Sequence, residues 1–107
     1  MSKLKMYIAV LDEVPDFMVP TLVAHSVLSA HMFFEQKSQY QEWLADSYKK
    51  VVLRVNRKEF GKISDLNTFL GYENTTLDAE KSCAVVMPMC DEDRPNVLKF
   101  ASMWKPS

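Results

Sequence analysis

The chain has 107 residues, of which 48% are hydrophobic and 25% charged, and its formal net charge at pH 7 is −1. That length supports one hydrophobic core, so we expect a single domain over residues 1–107. The near-neutral charge excludes a general attraction to nucleic acid or anionic membrane, and two glycines are too few for a glycine-rich phosphate loop.

The cysteines and histidines are not spaced as metal ligands. Cys83 and Cys90 form no CxxC motif, and no cleavage site for a signal peptide follows the first residues. We expect no run of residues to be long and apolar enough to span a bilayer. We therefore expect a cytoplasmic protein with reduced cysteines, no metal, no cofactor and no membrane partner.

The first 35 residues predict a strand, a turn-rich connection and a long apolar helix. Lys5 to Leu11 is apolar without strict alternation, which is typical of a central strand buried on both faces. Pro20 suits the first turn of a helix that runs to about Glu35. Leu28 and Met32 lie opposite the main apolar face of this helix, so they predict a covering partner, either a second helix or a second subunit.

Two capping-box patterns predict the starts of the next two helices. Each pattern has a Ser or Asn followed three residues later by Gln or Glu. They are Ser38 with Gln41, before a helix over 39–47, and Asn56 with Glu59, before a helix that ends near Leu70. Gly71 then stands where a glycine often ends a helix.

The remaining predicted elements are strands and one last helix. The strands cover 49–56, 72–76 and 82–87, and the helix begins near Asp91 and carries Trp104. Alternating strands and helices predict an α/β fold, a single three-layer domain with a mixed four-stranded sheet, mainly parallel, and helices on both faces. Ligands in such folds gather outside the carboxyl ends of the strands, which here include residues 12–18.

Three segments of the chain carry a family resemblance. They are the first strand, turn and helix with His25, the segment from Trp43 through the strand Lys49–Val55, and the segment Thr75–Asp78 with Lys81–Val86. Together they resemble the class II peptidyl-tRNA hydrolase superfamily over most of the chain. The segment Pro15–His25 is also similar to an uncharacterised bacterial family of the same fold.

The resemblance implies a lysine, a histidine, an aspartate and a threonine as active groups. In this chain the histidine is His25 and the threonine is Thr75. The other positions depart from the family pattern: Met18 stands for the lysine, Leu22 for a glutamine, and Gly71, or Glu73 after a small shift, for the aspartate. Activating water and stabilising an oxyanion both need polar groups, so these departures predict binding without turnover.

Three functions stay open at this point. The first is a peptidyl-tRNA hydrolase II-like protein with a degraded catalytic site that binds a nucleotide-bearing ligand or an RNA or tRNA end. The second is an active peptidyl-tRNA hydrolase, a carboxylic ester hydrolase whose catalytic groups have moved. The third is a homodimeric interaction module that associates through Leu28 and Met32.

Each candidate site residue also has a purely structural interpretation. The candidate catalytic residues are His25 and Thr75, and the candidate ligand-binding residues are Asp12, Glu13, Met18, Glu73, Thr76 and Lys81. The histidine could instead be a partly buried residue that bonds nearby serines. The acidic residues could be a solvated loop beside a helix N-terminus, and the threonines could serve turn formation.

Overall fold

A five-stranded mixed sheet organises the fold in a computed structural model that describes residues 3–72 and 80–106. The strands are β1 (Lys5–Leu11), β2 (Lys49–Val55), β3 (Thr68–Gly71), β4 (Cys83–Val86) and β5 (Ser102–Met103), in the spatial order β3-β4-β1-β2-β5. Only β1 and β2 pair in parallel, whereas the other three pairings are antiparallel. The predicted α/β class, mixed sheet and helices on both faces are confirmed. The predictions of four strands and of a mainly parallel sheet were wrong, because the sheet has five strands and three of its four pairings are antiparallel.

The central strand β1 carries the hydrophobic core on both of its faces. Every residue of β1 after Lys5 is buried. Met6, Ile8 and Val10 belong to the core cluster on one face of the sheet, and Tyr7 and Ala9 belong to the cluster on the other face. The expected central position of this strand is confirmed, and its continuous apolar sequence follows from burial on both faces.

Helix α1 (Val19–Phe34) follows a short 3-10 turn at Asp16–Met18 and covers one face of the sheet. Pro20 lies in its first turn, where a missing N–H leaves no bond unmade. With that turn it is long and apolar enough, by length and composition alone, to cross a membrane, so the expectation that no run reaches this size was wrong. One side of the helix is nevertheless part of the core of the domain, through Leu22, Ala30 and Phe34.

Helix α2 (Ser38–Glu42) continues into a π-helical turn at Trp43–Ser47. The capping box expected at Ser38 is absent: no side chain caps this helix, and Gln41 Nε2 donates to the Glu35 carbonyl oxygen at 2.8 Å. Trp43 is buried, and its indole N–H donates to the Lys49 carbonyl oxygen at 2.8 Å. That bond ties the end of the helical segment to the start of β2.

Helix α3 (Arg57–Ser64) begins with the predicted capping box. The Asn56 side-chain oxygen accepts from the Glu59 backbone N–H at 2.8 Å, and Glu59 Oε1 accepts from the Asn56 N–H at 2.9 Å. The helix does not reach Leu70, and Gly71 lies in β3 instead of ending a helix. Two turn-forming residues, Asp65 and Asn67, break the helical pattern, and pairing with β4 makes the next segment a strand.

The last part of the chain is shorter in its elements than expected. A 3-10 turn (Asp91–Asp93) precedes helix α4 (Asn96–Lys99), because Pro95 cannot continue a helix from the turn. Trp104 lies past β5 and donates its backbone N–H to the Val52 carbonyl oxygen at 2.9 Å. The prediction of one long last helix that carries Trp104 was therefore wrong. Of the strand expected at 72–76, Tyr72 is not in a strand, and 73–76 fall outside the described residues.

Candidate functional site

A cleft of about 290 Å³ lies between α1 and β3. Its lining comes from His25, Ser26 and Ser29 on the helix and from residues 69–72 at the end of the strand. This volume is just below the range for small-molecule sites, about 300–1,000 Å³. Of the sequence-predicted catalytic residues, His25 is the one that the structure places here.

The floor of the cleft is a close contact between a helix and a strand backbone. A Cβ atom built on Gly71 would lie 2.1 Å from Ser26 Oγ and 2.8 Å from Ser26 Cβ, so no side chain fits there. The Ser26 hydroxyl donates to the Leu22 carbonyl oxygen at 2.7 Å, which folds it back onto its own helix. Glycine is therefore required at position 71 for packing, and its backbone forms part of the binding surface.

The rim of the cleft combines an imidazole, a hydroxyl and two aromatic rings. His25 and Ser29 are four residues apart on α1, so their side chains lie on adjacent turns, and both are exposed. The Phe69 ring packs on Phe33 with 5.6 Å between ring centroids, and Tyr72 is 48% exposed. No carboxylate, ammonium or guanidinium group lines the cleft in the part of the chain that the structure describes. The site is thus suited to stacking and neutral hydrogen bonds.

Two positions at which the family resemblance implies polar groups belong to the core. Leu22 is fully buried in the cluster between α1 and the sheet, and Met18 packs partly buried against that cluster. Neither side chain lines the cleft. Methionine and leucine also bring no proton donor or acceptor comparable to lysine or glutamine.

The expected ligand-binding residue Glu13 forms ion pairs away from the cleft. Arg57 Nε and Nη2 donate to Glu13 at 2.5 and 2.9 Å, and Nη1 and Nη2 donate to Glu80 at 2.7 and 2.9 Å. The hydrogen bonds to Arg57 lower the pKa of Glu80, and those to Glu80 and then Glu13 raise the pKa of Arg57. Asp12 and Lys81 are exposed on neighbouring segments, and neither lines the cleft.

The candidate residues Glu73, Thr75 and Thr76 lie outside the described residues. Tyr72, the last described residue before them, is at the rim of the cleft. Their contribution to the site stays a prediction.

A cluster of two aromatic rings and a lysine lies on the other flank of α1 and was not predicted from the sequence. The Tyr48 ring stacks on Trp43 with 5.4 Å between centroids, and Lys50 Nζ lies 3.3 Å from the centre of the Tyr48 ring. Tyr48 has φ 57°, a left-handed conformation that is uncommon for a residue other than glycine. Burial lowers the pKa of Lys50, while its ammonium gains a cation–π contact. The aromatic residues were visible in the sequence, but nothing local indicated that they would meet.

The cysteines and histidines do not assemble a metal site in residues 3–72 and 80–106. No three potential ligands among His, Cys, Asp and Glu lie together there. Cys83 is buried in β4, and burial raises the pKa of its thiol to about 12. Burial first, and then Glu92 and Asp93, raise the pKa of Cys90. A thiolate ligand or nucleophile is disfavoured at both positions.

No protein-family model matches the chain, and no curated protein matches its sequence.

Proposed function

We propose that the protein binds a nucleotide-bearing ligand, such as the end of an RNA strand, in the cleft between α1 and β3, without turning it over. The observation that carries the proposal is the lining of that cleft, which includes Phe69 and Tyr72 together with His25 and Ser29. Aromatic rings beside hydrogen-bonding groups are the usual means of holding an unpaired base. The proposal includes the hydrolase II-like origin of the scaffold implied by the sequence resemblance.

Stacking is the interaction that this cleft supplies best. Base–aromatic stacking contributes about 1–3 kcal/mol per base and tolerates different bases. The imidazole of His25 and the hydroxyl of Ser29 add polar contacts to the edge of a base or to a ribose hydroxyl. No carboxylate, ammonium or guanidinium group lines the cleft among the described residues. We therefore expect the affinity for the part of the ligand inside the cleft to depend only weakly on salt concentration.

The apolar character of Met18 and Leu22 supports binding over hydrolysis. Both side chains pack against or within the core, so neither can donate to a developing oxyanion in the cleft. Losing one such donor typically costs a factor of about 10²–10³ in kcat. His25 could act as a base, but a base alone leaves the developing negative charge without a partner.

The test is a binding titration with matched tyrosine variants. Short single-stranded RNA and single nucleotides are titrated into the wild-type protein, Tyr72→Ala and Tyr48→Ala. The two tyrosines are 48% and 57% exposed, but only Tyr72 lies at the cleft. We expect the cleft variant to weaken binding roughly 5- to 150-fold, as loss of one stacking contact predicts, and the control variant to leave it unchanged.

Three results would contradict the proposal. The first is equal weakening by both tyrosine variants, and the second is no binding by the wild-type protein at millimolar nucleotide. The third is hydrolysis of peptidyl-tRNA that disappears in His25→Ala, which would establish an active ester hydrolase instead. The same purified proteins serve both measurements.

A further inference from the structure

Part of the outward face of α1 carries large exposed apolar side chains. The helix Val19–Phe34 contains no Asp, Glu, Lys or Arg. Leu28 and Met32 are 69% and 76% exposed on it. A surface helix without a charged face is typical of an element that another body covers.

The exposed residues form a continuous line along the helix, which we call the outer stripe. It consists of Thr21, Ala24, Leu28 and Met32, spaced three or four residues apart, so their side chains lie one above another. Exposed apolar groups widen it on both flanks: Phe33 on one, and Leu44 and Tyr48 on the other. The apolar surface therefore extends beyond a single line of side chains.

A membrane is a poor occupant for this face. α1 passes the length and composition test for a membrane span, but its inner side forms the core with β1 and β4. Leu22, Ser26 and Phe34 are buried on that inner side, and spanning a bilayer would expose the remaining core to water. A protein surface covers the outer stripe while the domain stays folded.

We propose that the outer stripe binds the outer stripe of a second copy, in an antiparallel arrangement with the two-fold axis at Leu28. The axis places Leu28 against its own counterpart, and it places Ala24 opposite Met32 on either side. A small residue then meets a long flexible one twice, which is the size match that close helix packing needs.

The charges at the ends of α1 favour the same arrangement. Glu35 is the residue at the C-terminal end of α1, seven residues after Leu28, and its carboxylate lies 3.5 Å from His31 Nε2, while Thr21 lies seven residues before Leu28. Antiparallel pairing brings this carboxylate near the N-terminus of the partner helix, where the helix dipole attracts negative charge. A parallel pair would instead bring like ends together. Because the stripe itself is uncharged, a copy of the stripe is a matching partner and a charged surface is not.

Sedimentation equilibrium over a wide concentration range tests the association. The variants are Leu28→Lys and, as a matched control, Phe100→Lys, since Phe100 is 79% exposed beyond α4 at the other face of the sheet. We expect wild-type and control proteins to dimerise. We expect Leu28→Lys to raise the dimer dissociation constant by about 100-fold or more, because it sets two ammonium groups against each other at the axis.

Disulfide trapping tests the geometry in a way that does not depend on a weakened dimer. In a Cys90→Ser background, Leu28→Cys should oxidise to a covalent dimer, because a residue on the axis meets its own counterpart within disulfide distance. Ala24→Cys should not, since it faces Met32 of the other copy. The double variant Ala24→Cys with Met32→Cys should restore the covalent dimer.

Three outcomes would overturn this inference. A wild-type protein that stays monomeric at all concentrations contradicts the association. Efficient trapping through Ala24→Cys alone contradicts the antiparallel geometry. A monomer that sediments with vesicles of phosphatidylcholine and phosphatidylserine would assign the outer stripe to a lipid surface instead. None of these results bears on nucleotide binding in the cleft, which is tested separately.

Discussion

Arg57 binds Glu80 through two parallel hydrogen bonds, from Nη1 to Oε2 at 2.7 Å and from Nη2 to Oε1 at 2.9 Å. The same guanidinium binds Glu13, so the first residue of α3 connects the loop after β1 with the segment just before β4. Paired geometry of this kind suits arginine and not lysine, because the planar guanidinium matches a carboxylate at two points.

Glu80→Gln should therefore reduce stability in a pH-dependent way. Arg57 lowers the pKa of Glu80 in the folded protein below the ordinary value of 4.5. The stabilisation is thus complete above pH 4.5 and is lost as pH falls through the folded pKa. We expect the wild-type protein to be more stable than the variant in urea at pH 7, and the difference to shrink below pH 4. A Glu92→Gln variant, at an exposed acidic turn, serves as the comparison, and an equal effect there would contradict the assignment.

The two glycines should respond to alanine in opposite directions. Gly71→Ala forces a methyl group into Ser26, and such overpacking typically costs 1–3 kcal/mol, roughly, in the free energy of unfolding. Gly61 lies inside α3, and a built Cβ there meets no atom within 4 Å apart from its chain neighbours and the backbone of its own helix, so Gly61→Ala should stabilise by about 0.5–1 kcal/mol. Thermal and urea unfolding measure both changes. If Gly71→Ala left the free energy of unfolding unchanged, α1 and β3 could move apart without loss of stability, contrary to this prediction.

Alanine substitutions at the two capping-box patterns should change the free energy of unfolding by different amounts in the same assay. Asn56→Ala removes a side-chain cap that is present, at a cost of about 1 kcal/mol. Ser38→Ala should stay within about 0.5 kcal/mol of the wild-type protein, because no side chain caps α2. Equal destabilisation by both would mean that Ser38 has a partner of similar strength in solution.

Cys83 should be inert toward thiol reagents while the protein is folded. Burial raises the pKa of its thiol to about 12 and keeps the sulfur away from reagents, so almost no reactive thiolate is present at pH 8. In a Cys90→Ser variant we expect iodoacetamide to label the protein only after denaturant is added. Fast labelling of the native variant would indicate frequent opening of the sheet around β4.

Local patterns in the sequence were sufficient for the elements whose signals are local. The strand Lys5–Leu11 and the helix with Pro20 in its first turn were predicted from apolar continuity and from the chemistry of proline. The capping box of α3 was predicted because both of its partners lie within four residues. Each of these predictions needs only neighbouring residues to be correct.

The incorrect elements are those decided by distant pairing. Phe69 and Leu70 fit the apolar spacing of α3, but they pair with Val85 and Ala84 and form a strand. The two-residue strand β5 exists because Met103 pairs with Leu53, about half the chain away. Apolar spacing over so few residues does not distinguish a helix from a strand, so tertiary contacts determined the result.

The predictions for the candidate site failed for the same reason, where they depended on contacts between distant parts of the chain. His25 was proposed from the family resemblance and lies at the cleft, whereas Phe69 and Tyr72 were missed because they reach the cleft only after β3 forms. Glu13 was expected to bind ligand, and its ion pair with Arg57 joins residues 44 positions apart. Contacts of that separation leave no periodic or compositional trace in a single sequence.

The central place of β1 has a consequence for synthesis on the ribosome. Its parallel neighbour β2 and its antiparallel neighbour β4 both follow it in the chain, β4 only at Cys83–Val86. β1 and the helix after it are therefore translated before both neighbouring strands, and β1 lacks its β4 partner until the segment Cys83–Val86 has been made. A nascent chain in this condition is open to wrong association, so its yield in cells should depend on chaperones more than its small size suggests.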